Sequence, residues 1–448
     1  MTFLTSLKRV ARRQGSPEDR GKLLRWPPVV ESVPLGFRQH VARLGPGIVT
    51  GASDVDPALV LTATVAGAAY GYSLLWVVPL CVPFLLAIFT VAARIGHETR
   101  RGLVELLRQH YGKTLAIGCA ALVMVINLAM IIADLLAVTD ALSIILDQRR
   151  IFFVAAVAFS VWYILIFRDY HKIVHALVWL SLPLFAYVIA AVLASPPAGT
   201  VLRHTFWPQI MRGQGYATAV VALFGSLLTP YVVVWQTSSR SEAAARGDET
   251  PAGSQHQAGA AVTTLISYCV LIAAAAVLNP VVGGLTSEQI NSLTFRQAAQ
   301  ALSPLGEIGP LLFAIGIIGA GMVALPVLVA SMCYATSEAL GWKTGLSEHP
   351  WEAKSFYVLI SAVLFLAAAA NFFRMNAVSA LYWSQILAGI LAVPIFILIL
   401  VLSNDRRIMR TTNSGWQNFW LGAASGAMIA AGAAVFFWKI FGPLTADR

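Results

Sequence analysis

Long apolar runs separated by short polar connections fill the chain from about residue 44 onward. They read as helices near 44–68, 72–94, 115–146, 151–168, 172–194, 216–240, 257–280, 305–338, 355–373, 376–403 and 416–440. Each is long enough to cross hydrocarbon, which takes about 20 apolar residues in a helix. The predicted fold class is an all-α polytopic membrane protein with about 11 transmembrane helices, its interior formed by helices packed against one another in lipid. The domain boundaries expected are a tail over 1–43, a first set of five helices over 44–194, a second set over 216–403, and a last helix at 416–440.

Composition supports the same class. Hydrophobic residues make up 58% of the 448 positions and charged ones 12%, about half the charged share of a soluble domain. That excludes an ordinary soluble enzyme. The formal charge of +10 is concentrated in the tail and in alternate loops, so the positive-inside rule predicts a cytoplasmic amino terminus and an outside carboxyl terminus. Basic loops of a membrane protein account for this excess, so nucleic acid is not an expected partner. Residues 1–43 carry nine Lys and Arg, among them Arg12, Arg13, Arg20, Lys22 and Arg25, interrupted by Gly15, Pro17, Pro27 and Pro28. They read as a basic cytoplasmic tail that enforces topology or touches anionic lipid heads. The first apolar run follows this basic stretch, too far along for a cleaved secretory signal. Cys81, Cys119, Cys269 and Cys333 sit in separate apolar runs and read as free, buried residues.

The chemistry is expected where apolar helices break. Asp56-Pro57 lies inside the first run and Thr229-Pro230 inside the sixth. Proline has no amide hydrogen, so the carbonyls four residues earlier, on Ser53 and Ser226, lose their helical partners. Small residues surround both places (Gly51, Ala52, Ser53, Ala58; Gly225, Ser226). Unwound backbone at bilayer depth survives only where protein or a water-filled cavity satisfies it, and paired interruptions in two halves point to a substrate site. A simple kink is the alternative at either proline. A carboxylate in hydrocarbon marks an ion path or proton relay. Asp56, the Ser53 and Ser226 carbonyls and the Thr229 hydroxyl would form an oxygen-rich site for a hard cation. Asp54 projects to another face and reads as a vestibule charge.

Other polar candidates inside apolar runs are Asn127, Asp134, Gln236, Ser384 and Gln385. Asn127 and Asp134 are two turns apart on one face. Asp134 is the candidate proton relay, and Gln385 could offer an amide oxygen to a cation; a hydrogen bond between helices is the alternative for each. His97-Glu98 lacks the second histidine of an HExxH zinc motif. His171 and His175 read as boundary histidines, and the sequence has no GxxxxGK[ST] motif to suggest an ATP-driven pump.

The run LGPGIVTGASDVDPALVLTATVAGAAYGYSLLW, Leu44 to Trp76, resembles the opening of the Nramp divalent-metal transporters, with its Asp-Pro-Gly-Asn and YGYSLLW-type segments. AARIG with GLVELLRQHYGK, AMIIADLLAV and WSQILAGILAVPIFILILVLSNDRRIM extend the resemblance over roughly residues 40–410. It implies the leucine-transporter fold, a 5+5 inverted repeat with one extra helix, and alternating access around a central metal site. The family's ligands carry over to Asp56, Leu59, Ser226, Thr229 and Gln385. Two depart from the pattern: Asn has become Leu59, and Met-Pro-His reads Thr229-Pro230-Tyr231. Losing the thioether removes the discriminator in favour of softer metals. The family's proton path carries over to Asn127, Asp134, Ala137, Tyr231 and Gln236, of which Asp134 is the acidic position retained, so coupling is expected to be weak or absent.

The expected function is a secondary transporter of a divalent cation, Mn²⁺/Fe²⁺ or Mg²⁺, with protons as a candidate co-substrate. The metal is substrate and not cofactor, and the bilayer is the other partner; no obligate protein partner is expected. The expected location is an integral position in a bacterial inner (cell) membrane, with the amino terminus cytoplasmic. The alternatives are an organic substrate on the same fold, or a non-transporting membrane metal sensor. No nucleophile and base stand at workable spacing, so the chain is not read as an enzyme.

Overall fold

The computed structural model describes residues 55–167, 182–245, 253–282, 293–346, 348–373 and 375–445. The basic tail, Ser53, Asp54, His171 and His175 lie outside the described residues. The helices are α1 (Pro57–Tyr70), α2 (Val77–Thr99), α3 (Leu103–His110), α4 (Lys113–Leu146), α5 (Ile151–Phe167), α6 (Ala186–Leu193) and α7 (Ala198–Phe206). They continue as α8 (Gln214–Leu227), α9 (Pro230–Ala245), α10 (Gly253–Val277), α11 (Gly309–Leu340), α12 (Lys354–Ala370), α13 (Ala377–Asn404) and α14 (Gly415–Thr445). Every predicted run contains helix. Among the described residues, eight segments are long and apolar enough to cross a membrane, α5 and α12 are shorter apolar helices, and Leu182–Leu193 with Ala198–Phe206 qualifies only as a pair bent by 114°. The fifth run therefore does not simply end near 194. Ser195 takes a left-handed conformation at φ 47°, and Pro196-Pro197, unable to donate backbone hydrogen bonds, separates the helix from its perpendicular continuation.

Two spans form the centre. In the most apolar 18-residue stretch of each segment, 89% of the residues are buried in Pro57–Leu74 and 94% in Gln214–Ala245, against 22% in Gly415–Ile440 at the periphery. Lipid is as apolar as a leucine side chain, so helices come together where their side chains are small enough for backbones to approach. The crossing of α8 and α13 shows this. A Cβ on Gly225 would collide with the Gln385 carbonyl oxygen and lie 2.7 Å from the Gly389 nitrogen, and one on Gly389 would lie 2.5 Å from the Val221 carbonyl oxygen. The four cysteines are free and buried.

The second predicted break is present, α8 ending at Leu227 and Pro230 opening α9; at the first, Val55 and Asp56 are non-helical and Pro57 opens α1, while the residues before Val55 lie outside the described ones. Proline alone does not cause them. Pro83, Pro326 and Pro394 sit inside continuous helices. Glu98 is consumed at the end of α2, accepting from the amides of Arg410 and Thr411 at 3.1 and 3.2 Å.

Candidate functional site at the paired helix breaks

α1 begins at Asp56 for local reasons. Its backbone is extended (φ −86°, ψ 167°), Pro57 supplies the preset first helical torsion, and the Asp56 side chain caps the helix by accepting from the Leu59 amide at 2.6 Å. The carboxylate is fully buried. That hydrogen bond commits Oδ1; across from Oδ2 stands the Tyr231 hydroxyl, at 3.5 Å. One oxygen is thus anchored and oriented while the other is only weakly held. Leu59 gives Asp56 a backbone donor and brings no side-chain oxygen.

The second break lies opposite. α8 closes with the Leu228 amide on the Phe224 carbonyl at 2.8 Å, and Leu228 then leaves helical torsion (φ −106°, ψ 61°). Pro230 has no hydrogen to give the Ser226 carbonyl. The Ser226 hydroxyl donates to Leu223 O at 3.0 Å. Thr229 is buried beside it. Tyr231, two residues into the next half-helix, is what joins this break to Asp56. In sequence Tyr231 reads only as the replacement of a family histidine; its contact with the carboxylate has no local signal, because the two residues are 175 apart.

Gln385 and Asp134 complete the surroundings. Both are fully buried, and neither the Gln385 amide atoms nor the Asp134 oxygens have a hydrogen-bond partner. A buried polar group left unpaired costs about 1–3 kcal/mol, so such groups mark places kept for something other than stability. Close packing of α8 on α13 sets the Gln385 backbone against Gly225, next to Ser226. Asp134 lies within electrostatic reach of Asp56. A single wedge explains how: Gly321 of α11 has no room for a Cβ, because Val138 of α4 and Pro57 converge on it.

The remaining candidates divide. Asn127 donates to Leu328 O at 3.1 Å and to Ser331 Oγ at 2.6 Å, so it fastens α4 to α11. Ser384 donates to its own helix at Leu381 O, 2.7 Å. Gln236 is buried with both amide atoms unpaired. Among the described residues no group of three His, Cys, Asp or Glu gathers. The polar groups at the two breaks are carboxylate, hydroxyl and backbone carbonyl oxygens. Toward the far end of α1, Tyr216 stands edge-on to Tyr70 at 5.5 Å and accepts from Trp76 Nε1 at 3.2 Å.

Residues 47–438 match the family described as natural resistance-associated macrophage protein-like. The chain is 29% identical over 208 residues to the Metal transporter NRAT1 of Oryza sativa subsp. japonica, covering 44% of this chain and only 36% of that one. It is 27% identical over 304 residues to the Divalent metal cation transporter MntH of Mesorhizobium japonicum, 65% of this chain and 66% of that protein. With the protein of the same name from Bacillus subtilis the identity is 22% over 392 residues, 85% and 88% of the two chains. A crystal structure of the Eremococcus coleocola manganese transporter superposes with a TM-score of 0.69 at 16% identity, over 94% of this chain and 91% of that one. MhsT in complex with L-phenylalanine follows at 0.53 and 14%, over 88% of this chain and 98% of that one. The fold is that of the leucine transporter, and the matched length places the chain in a family: it belongs to the Nramp (natural resistance-associated macrophage protein-like) family.

Proposed function

We propose that the protein is a secondary transporter that carries divalent metal cations across the membrane by alternating access, with the cation held between the two helix breaks. Carrying this reading is the state of Asp56, a fully buried carboxylate with one oxygen fixed on the Leu59 amide and the other facing a broken helix across 3.5 Å. Asp56 is the charged ligand, the Ser226 carbonyl and Thr229 supply neutral oxygens, and Gln385 is an ancillary ligand; Ser53 would add a carbonyl from the preceding segment. Any proton exchanged with the cation falls to Asp134, the acidic position retained on the family's proton path. The residues at the breaks, Val55–Leu59 and Gly225–Tyr231, contain no sulfur, so selection rests on charge and size and admits both Mg²⁺ and Mn²⁺. Relatives named as metal transporters support this reading. The amino terminus is cytoplasmic and the membrane a bacterial inner membrane.

The test is uptake of Mn²⁺ and Mg²⁺ into proteoliposomes, with and without a pH gradient, beside the Asp56→Ala protein. Saturable flux that disappears in the variant is the expected result. Flux of neither ion moves the assignment to an organic substrate or a non-transporting sensor, and flux independent of Asp56 removes the site.

A further inference from the structure

Glu338, a carboxylate the proposed cation site does not use, lies in the last turn of α11 and is only 4% exposed. Its Oε2 accepts from the amides of Val104 and Glu105 at 3.1 and 3.2 Å, and its Oε1 from the Ser238 hydroxyl at 2.7 Å. The first two bonds explain a local oddity. α3 starts at Gly102, which has no side chain with which to cap it, and a Cβ on Gly102 would overlap the Glu338 carboxylate. Glu338 therefore supplies, from another helix, the anion that a helix N-terminus favours.

The third bond reaches the half-helix that carries the site. One turn forward along α9 and one turn back along α11 the pattern repeats, with Tyr334 Oη of α11 donating to Glu242 Oε1 of α9 at 2.5 Å. Ser238 meets Glu338 and Glu242 meets Tyr334, so α9 and α11 run antiparallel and are bolted at two successive turns. A helix transmits such an anchor as a rod. Ser238 is nine residues from Thr229, about 13 Å along the axis at 1.5 Å per residue.

We propose that Glu338 is a positioning residue for transport, fixing the far end of α9 to α11 and α3 so that Thr229 and Tyr231 meet Asp56. The proposal rests on the reading of the breaks as the cation site. Ser238→Ala cuts the link to α9 and leaves the cap of α3 in place. In Mn²⁺ uptake its KM rises about tenfold, the size of one lost hydrogen bond to a charged acceptor, with Vmax close to that of the parent. Glu338→Gln keeps a carbonyl oxygen for the two amides and turns an NH₂ toward Ser238, so it restores the parent KM; Glu338→Leu abolishes transport. An unchanged KM in Ser238→Ala with a lowered melting temperature would overturn the proposal, leaving Glu338 purely structural. Asp56→Asn separates the two failures. If that variant transports like the parent, the cation site itself is wrong; if it is inactive while Ser238→Ala is normal, only the positioning role falls.

Discussion

Gly225→Ala adds one methyl group where α8 and α13 cross backbone to backbone. The new carbon would overlap the Gln385 carbonyl and stand 2.7 Å from the Gly389 nitrogen, against an ordinary contact of about 3.4 Å or more between such atoms. Both neighbours are backbone, so no rotamer change relieves the clash, and α8 and α13 must part by roughly 1 Å. Overpacking of this kind costs about 1–3 kcal/mol. The same displacement draws Gln385 away from Ser226, and a site held 1 Å too loosely is the common way for a complete ligand set to stop working. Gly422→Ala is the matched control, since a Cβ there meets nothing within 4 Å and alanine favours a helix by up to about 1 kcal/mol over glycine. Melting in detergent and Mn²⁺ flux are measured on both. Gly225→Ala should melt lower and transport poorly, and Gly422→Ala should melt at or above the parent temperature with normal flux. If Gly225→Ala matches the parent in both assays, the α8–α13 contact neither stabilises the bundle nor sets the geometry of the site.

Three further outcomes are expected. Thr229→Met introduces a thioether and shifts preference from Mg²⁺ toward Mn²⁺ or Cd²⁺ in competition uptake, about tenfold for each 1.4 kcal/mol of differential affinity; an unaltered profile would show that Thr229 does not line the site. Asp134→Asn retains downhill Mn²⁺ flux and loses its response to a pH gradient, and a persisting response would assign the proton elsewhere. Asp405, beyond the end of α13, accepts from the Arg407 amide at 2.9 Å and from the Tyr111 hydroxyl at 3.1 Å, and the Arg407 bond above all holds its carboxyl below the usual carboxylate range. A depressed carboxyl contributes stability that is present above its unfolded value near pH 4 and is lost as pH falls through the folded value. Asp405→Asn should therefore flatten the melting curve's dependence on pH below about 4, and an unchanged acid limb would refute this.

The helices were legible because apolar length is a local property, and the breaks because Pro57 and Pro230 coincide with small and polar neighbours. Pro83, Pro326 and Pro394, set among bulkier apolar residues, leave their helices continuous. The turn after α6 had a readable cause in Pro196-Pro197, though hydropathy alone passes over it. α3, eight residues long, is too short to register as a span, although its Leu103, Val104, Leu106 and Leu107 are buried. Least legible were the contacts between helices. Tyr231 with Asp56 and Glu338 with Ser238 and α3 join residues 100 or more apart, and their pairing depends on helix crossings that glycines permit and no periodicity announces.

The four native thiols lie on 8% or less exposed side chains, so the natural protein is close to silent toward maleimides. A single cysteine introduced at Thr229 or Gln385, positions as buried as the native thiols in this conformation, is then labelled only in a conformation that opens the site to water. Its reaction with a membrane-impermeant reagent, added to one side of oriented vesicles and then the other, reads directly which face of the bilayer the site opens to and how a bound ion changes that balance.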